Sequence, residues 1–194
     1  ILFLCIMKWI LSPIIVILLS ISGTFAQGGA VLSVGLSLMD SQNPKVTKSG
    51  QQHNGWHASL TARFGPDFWY LRTGLELHKI SLSSSNTIEL FQDIPHTYML
   101  KIPVQIGARL IKTDLFKLRL AAGGQVSYIS VIQDNDQNLN HNTMSDLQFG
   151  ILGTIGIDLN NFTLDLNYEK GITELYTDTG FEANYWIMSA GFFF

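Results

Sequence analysis

Tyr98-Met99-Leu100-Lys101-Ile102-Pro103-Val104-Gln105-Ile106-Gly107-Ala108-Arg109-Leu110 splits into two sets when every second residue is read. Leu100, Ile102, Val104, Ile106, Ala108 and Leu110 form an oily face; Met99, Lys101, Pro103, Gln105, Gly107 and Arg109 form the other. Successive side chains on a strand point to opposite faces, so the stretch is a two-faced strand. A helix at 3.6 residues per turn would scatter the same residues around its circumference. The run exceeds the ~5–6 residues of an ordinary strand. It suits the ~9–11 residues a tilted strand needs to cross a bilayer.

The same pattern recurs on both sides. Upstream lie Val31 to Met39, Trp56 to Phe64 and Phe68 to Ile80; downstream lie Phe116 to Ile132, Leu147 to Leu159, Phe162 to Ile172 and Asn184 to Phe194. That makes eight strands. Their connections alternate between long polar loops (40–54, 81–95, 133–145, 173–182) and short turns at Gly65-Pro66-Asp67, Lys112-Thr113-Asp114 and Asn160-Asn161. Pro, Gly and Asn fit tight reversals because they fix φ or tolerate positive φ. Short turns on one side and long loops on the other match a membrane barrel. The expected fold is all-β: an eight-stranded antiparallel up-and-down transmembrane barrel, its first strand paired with its last.

Alternation alone does not say which face is outside, since a soluble lipid-binding barrel carries its oily face inward. Three features put the oily face outward. The polar face is rich in Gly, Ser and Thr, as a crowded lumen requires. Aromatics mark both ends of the apolar face: Phe64, Trp69, Phe116, Phe162 and Phe192 near the short turns, Trp56, Tyr128, Tyr168 and Trp186 near the long loops. Two belts suit two membrane interfaces. The chain also ends on Phe192-Phe193-Phe194.

Composition bounds the function. Of 194 residues only 14% are charged, and the net charge of −3 with scattered basic residues excludes a nucleic-acid partner. Residues 1–26 are read as upstream residues plus a signal peptide. Its basic start is at Met7-Lys8, and Thr24-Phe25-Ala26 sets cleavage before Gln27. The apolar run is short for a spanning helix and contains Pro13. Residues 27–194 then form one barrel domain, exported to the outer membrane of a Gram-negative bacterium. The single cysteine, Cys5, lies upstream of that start, leaving no disulfide or thiol ligand in the barrel.

The residues singled out are inward charges. Arg63, Arg72, Arg109, Lys117, Arg119, Asp158 and Asp165 are expected in the short-turn half of the lumen; Glu76, Lys101 and Glu169, with His57 and His78, in the other half. Opposite charges pair in a narrow lumen because unpaired ones are costly, which makes the network a structural plug. A gated or narrow passive pore is the alternative. No cofactor or metal site is expected: His53, His57, His78, His96 and His141 are dispersed, and Asp134-Asn135-Asp136 lacks the Gly and closing Glu of an EF-hand. Mid-strand Pro103 predicts a bulge or a missing ladder bond, since proline has no N–H.

Tyr98-Met99-Leu100-Lys101-Ile102-Pro103-Val104 resembles the "YLEIPLL" strand of the small outer-membrane β-barrel family of Bacteroidota, the PorT-like or "porin family" proteins. Gly123 to Tyr128, Tyr168-Glu169-Lys170-Gly171-Ile172 and Gly191-Phe192-Phe193-Phe194 are similar to later motifs of that family. Lys101 stands where an acidic residue is common. The resemblance implies an outer-membrane barrel surrounded by lipid and inserted by the barrel-assembly machinery, with possible envelope or secretion-complex partners. The expected role is non-enzymatic and carried by the outward loops, in envelope structure, adhesion or docking. A further alternative is a lipid-active hydrolase, because His57-Ala58-Ser59 resembles the His-x-Ser of the outer-membrane lipid A deacylase. Leu60-Thr61-Ala62 departs from that enzyme's Asn-Ala-Gly, and both side chains are expected in the lumen.

Overall fold

A computed structural model describes residues 28–41, 47, 51–85, 94–113, 115–136, 138–177 and 180–194. The leader assigned to residues 1–26 lies outside them. Eight antiparallel strands form a closed barrel in sequence order: β1 (Gly29–Asp40), β2 (His53–Phe64), β3 (Trp69–Ser81), β4 (His96–Lys112), β5 (Phe116–Ile132), β6 (Leu147–Leu159), β7 (Phe162–Gly171) and β8 (Asn184–Phe193). β1 pairs with β8 from Val31↔Phe193 to Asp40↔Asn184, which removes both sheet edges. Closure is what hydrocarbon demands, because it offers no water to an unpaired strand edge.

Alternating burial follows the alternating sequence. β7 reads exposed–buried at every step from Phe162 to Gly171. Val34 (61% exposed), Ile106 (68%) and Ile155 (53%) point outward, while Arg63, Arg72, Arg119 and Lys101 are buried inside. An apolar band this extensive is a membrane surface; soluble monomers rarely expose contiguous apolar patches beyond a few hundred Å². The rings of Phe162 and Phe192 meet edge-on at the short-turn end, and those of Tyr168 and Trp186 meet at the long-loop end.

Two bulges break the alternation. Register shifts between Tyr98 and Met99 leave Ser130 as the extra residue on β5, and between Arg109 and Ile111 leave Leu110 as the extra on β4. Leu110 and Ile111 consequently both face outward. At Pro103 there is no bulge. The β3–β4 pairing instead skips from Thr73↔Val104 to Glu76↔Lys101 with register kept, so the missing N–H appears as a gap in the ladder. The tight turns use Gly65 (φ 144°) and Asn160 (φ 53°), both in the left-handed region.

The long connections L1 (41–52), L2 (82–95), L3 (133–146) and L4 (172–183) are tied in pairs. Gln52 in L1 bridges Ser85 in L2, and Met144 in L3 bridges Tyr176 in L4. The Ser145 N–H donates to the Leu175 carbonyl (2.9 Å), and the Thr177 N–H to the Thr143 carbonyl (3.1 Å).

Candidate functional site in the lumen

The lumen is built in tiers, each set by inward positions at equivalent heights on neighbouring strands. Nearest the short turns, Arg63 of β2 reaches across to β6 and β7: its Nη1 donates to Asp158 Oδ1 (3.0 Å) and its Nη2 to Thr163 Oγ1 (3.0 Å) and Asp165 Oδ2 (3.4 Å). Arg119 of β5 closes on the same two carboxylates. Its Nη2 donates to Asp165 Oδ1 (2.7 Å), and its Nε lies 2.8 Å from Asp158 Oδ2 as an ion-pair contact without hydrogen-bond alignment. Gly156 makes room, because a Cβ there would collide with Asp165 and the Arg119 guanidinium.

The middle tier is a polar mesh. Arg72 of β3 donates to Gln105 Oε1 (3.2 Å), Asn167 Oδ1 (3.3 Å) and Glu76 Oε1 (3.3 Å), and Thr154 Oγ1 donates to Asn167 Oδ1 (2.7 Å). Above it, Lys101 Nζ donates to Glu169 Oε2 at 2.5 Å and lies 3.4 Å from the centre of the Tyr185 ring. His78 Nε2 lies 3.2 Å from Glu76 Oε2, and its Nδ1 2.9 Å from Ser37 Oγ. His57 stacks on His78 at 5.0 Å between ring centres.

Among the described residues, the buried tiers therefore pair four cations (Arg63, Arg72, Lys101, Arg119) with four carboxylates (Glu76, Asp158, Asp165, Glu169). Two residues expected in this network lie apart from it. Arg109 precedes the Leu110 bulge and turns to the short-turn rim, where it donates to the carbonyls of Pro66 (2.6 Å) and Asp67 (3.2 Å). Lys117 is half-buried at the same rim. Next to it, Lys112 pairs with Asp67 at 2.7 Å and holds that exposed carboxyl below its usual range.

Above the charges sits a feature that reading the sequence missed. Met39, Ile80, Met99, Ile129, Tyr185 and Ile187 face inward at the loop end of their strands. Leu82 of L2, Leu139 and Met144 of L3, and Leu175 and Tyr176 of L4 fold down onto them, and all are buried. The signal was present: apolar residues on the otherwise polar face gather towards the long-loop ends. Burial there pushes the Tyr176 hydroxyl up to about 12, against the opposing effect of its hydrogen bond with Ser41.

His57 and Ser59 do not form a nucleophile–base pair. Ser59 Oγ hydrogen-bonds Ser33 Oγ (2.6 Å), while His57 Nδ1 lies 3.4 Å from Ser37 Oγ. Both side chains are buried in the lumen, away from lipid. Among the described residues, no group of three or more His, Cys, Asp or Glu could hold a metal ion.

A family model described as an outer membrane protein beta-barrel domain matches residues 25–177. Several solved barrels share the architecture. The outer membrane enzyme PagL is similar over 86% of this chain and 99% of its own, with TM-score 0.50 and 11% identity. The attachment invasion locus protein Ail of Yersinia pestis covers 87% of this chain and 99% of its own, with TM-score 0.46 and 15% identity. OprG from Pseudomonas aeruginosa covers 88% of this chain and 97% of its own, with TM-score 0.48 and 9% identity. At such identities the likeness concerns the fold alone. No curated protein sequence matches the chain.

Proposed function

Because the chain belongs to the outer membrane protein β-barrel domain family and resides in the outer membrane of a Gram-negative bacterium, we propose that it is a non-enzymatic barrel with a filled lumen, acting through its outward loops. One observation carries the reading: the lumen is charge-balanced below and closed above by the apolar cluster around Ile80, Met99, Ile129 and Tyr185, on which Leu139 and Leu175 sit. An eight-stranded barrel has an interior just wide enough for its own side chains. What remains accessible from outside is the pair of loop ribbons, so the role is envelope structure, adhesion or docking within a larger assembly. The separation of Ser59 from His57 argues against hydrolysis. The Tyr98–Val104 motif supports placing the chain among PorT-like barrels of Bacteroidota, and with it a partner in a secretion-related envelope complex.

Planar-bilayer recording of the purified barrel tests the filled lumen. Silent bilayers, with partners co-purifying from outer membranes in mild detergent, are the expected result. Large, stable single-channel openings would replace this reading with a passive pore.

A further inference from the structure

The outer wall carries a concave site that the filled-lumen reading does not use. On the lipid-facing side of β3 to β8 lies a groove of about 660 Å³. Its floor is Ala108, Ala122 and Gly153; its walls are Ile106 on one side and Tyr168 with Trp186 on the other. Ala122 and Gly153 are register partners, flanked by Ile106 and Tyr168 on the next strands out, so two minimal side chains lie between bulky ones along one row of the ladder. A Cβ built on Gly153 meets nothing closer than 4.0 Å, so open space lies above it. The groove opens at the Tyr168–Trp186 pair on the loop side and runs down towards Trp69 of the short-turn belt, so its upper part lies in the hydrocarbon zone of the loop-side leaflet.

A charge stands at its upper end. Lys170 follows Tyr168 by two residues on the same outward face, ~7 Å further towards the loops. It is exposed and makes no ion pair among the described residues. Its register partners Ile151 and Asn184 are uncharged. Burying a lysine stem along apolar wall while its ammonium reaches the headgroup layer is the usual arrangement at an interface.

We infer that this groove is a specific lipid site: it takes one acyl chain of an outer-leaflet lipid whose headgroup phosphate pairs with Lys170. The loop side of the barrel faces the outer leaflet, and in a Gram-negative outer membrane that leaflet is built of phosphorylated, multiply acylated glycolipid. The lower part of the site supplies shape and the upper part supplies charge, so neither bulk lipid contact nor a lone surface lysine reproduces it.

The test uses the intact barrel in nanodiscs of neutral lipid doped with lipid A, scored by native mass spectrometry for retained lipid. Wild type retains one lipid A. Lys170→Gln lowers retention about fivefold, as removal of one interfacial lysine implies. Gly153→Leu fills the floor without touching the barrel interior and abolishes retention, while both variants stay folded by their unheated gel mobility. Dephosphorylated lipid A behaves on wild type as lipid A does on Lys170→Gln. Equal retention by all three proteins overturns the proposal. So does a Gly153→Cys variant that cross-links barrel to barrel, because the groove would then hold a second copy of the chain.

Discussion

Removing Lys101 isolates the cost of a charge that has a single partner. Lys101 is wholly buried and Glu169 is 2% exposed. The Nζ–Oε2 distance is 2.5 Å, and no second cation approaches Glu169 as closely among the described residues. Lys101→Met leaves a buried carboxylate without its counter-ion, which costs about 3–5 kcal/mol. Glu169→Gln costs less, about 2–3 kcal/mol, because Lys101 keeps its contact with the face of the Tyr185 ring. The double variant removes both charges and should return to within about 2 kcal/mol of wild type, the residue being mainly the lost cation–π contact. The coupling between the two sites is therefore at least about 3 kcal/mol. The assay is equilibrium unfolding in urea in detergent micelles, followed by tryptophan fluorescence and by the folded band on unheated gels, with slopes checked for constancy. Single costs that simply add in the double variant, to within about 0.5 kcal/mol, would refute the view that the lumen is held by dedicated pairs.

Three further outcomes follow from the same geometry. Arg119→Met should destabilise by about 3–5 kcal/mol, since Asp158 and Asp165 both lose it; Arg109→Met at the rim, bound only to carbonyls and a ring face, should cost under about 1 kcal/mol in the same unfolding assay. Gly156→Ala forces a methyl against Asp165 and Arg119 and should cost about 1–3 kcal/mol, whereas Gly124→Ala meets only the Gly150 carbonyl at 3.7 Å and should change stability by under about 0.5 kcal/mol. Tyr176, raised to about 12, keeps its proton in the folded state where a free tyrosine near 10 would lose it. The folded state then binds more protons, so stability is full below pH ~10 and falls as pH climbs towards ~12. Absorbance titration at the phenolate band, wild type minus Tyr176→Phe, should place that transition near 12, and a transition near 10 would contradict the buried cap.

The strands were legible because a period of two survives any barrel size: β5 and β6 run over the same residues in sequence and structure, and the others differ by one to three residues at an end. Facing was legible for the same reason. The two bulges were harder to see, since Leu110-Ile111 and Ser130-Val131 read as ordinary continuation until the register on the partner strand is known. Arg109 keeps its register with Arg119 just before the extra residue, yet its side chain is held at the rim by the carbonyls of Pro66 and Asp67. The half of the lumen each charge occupies was legible, with Arg63, Arg119, Asp158 and Asp165 in one and Lys101 and Glu169 in the other, but the individual pairs were not. Arg63 joins Asp158 and Asp165 across the lumen, a distance fixed by strand tilt and diameter, neither of which is written in the local pattern. The cap escaped notice because five of its buried members come from L3 and L4, where apolar residues within polar loops carry no periodicity.

That cap links loop shape to the barrel interior, and this governs how a loop-borne function can be dissected. Leu139 and Met144 of L3 and Leu175 and Tyr176 of L4 are buried in one cluster with Met99, Ile129, Tyr185 and Ile187 of the strands. Deleting either loop whole would uncover buried apolar side chains at the mouth, so lost activity would report a damaged cap as readily as a lost contact. The side chains at the exposed tip of L3 are separable: His141 and Asp146 pair with each other at 2.5 Å in the open, Asn140 bonds only within the turn, and Asn142 is tied to L4 through its backbone carbonyl alone, which accepts from Thr177 Oγ1 (2.9 Å) and survives a side-chain replacement. Replacing His141 and Asn142 by Gly-Ser should leave unfolding by urea within about 0.5 kcal/mol of wild type, as exposed substitutions usually do. A partner that binds the ribbons should lose affinity for that variant and retain it for a stability-matched change inside the lumen. If the tip variant binds as wild type does while Leu139→Ala and Leu175→Ala abolish binding, the partner reads the overall set of the cap rather than the L3 tip.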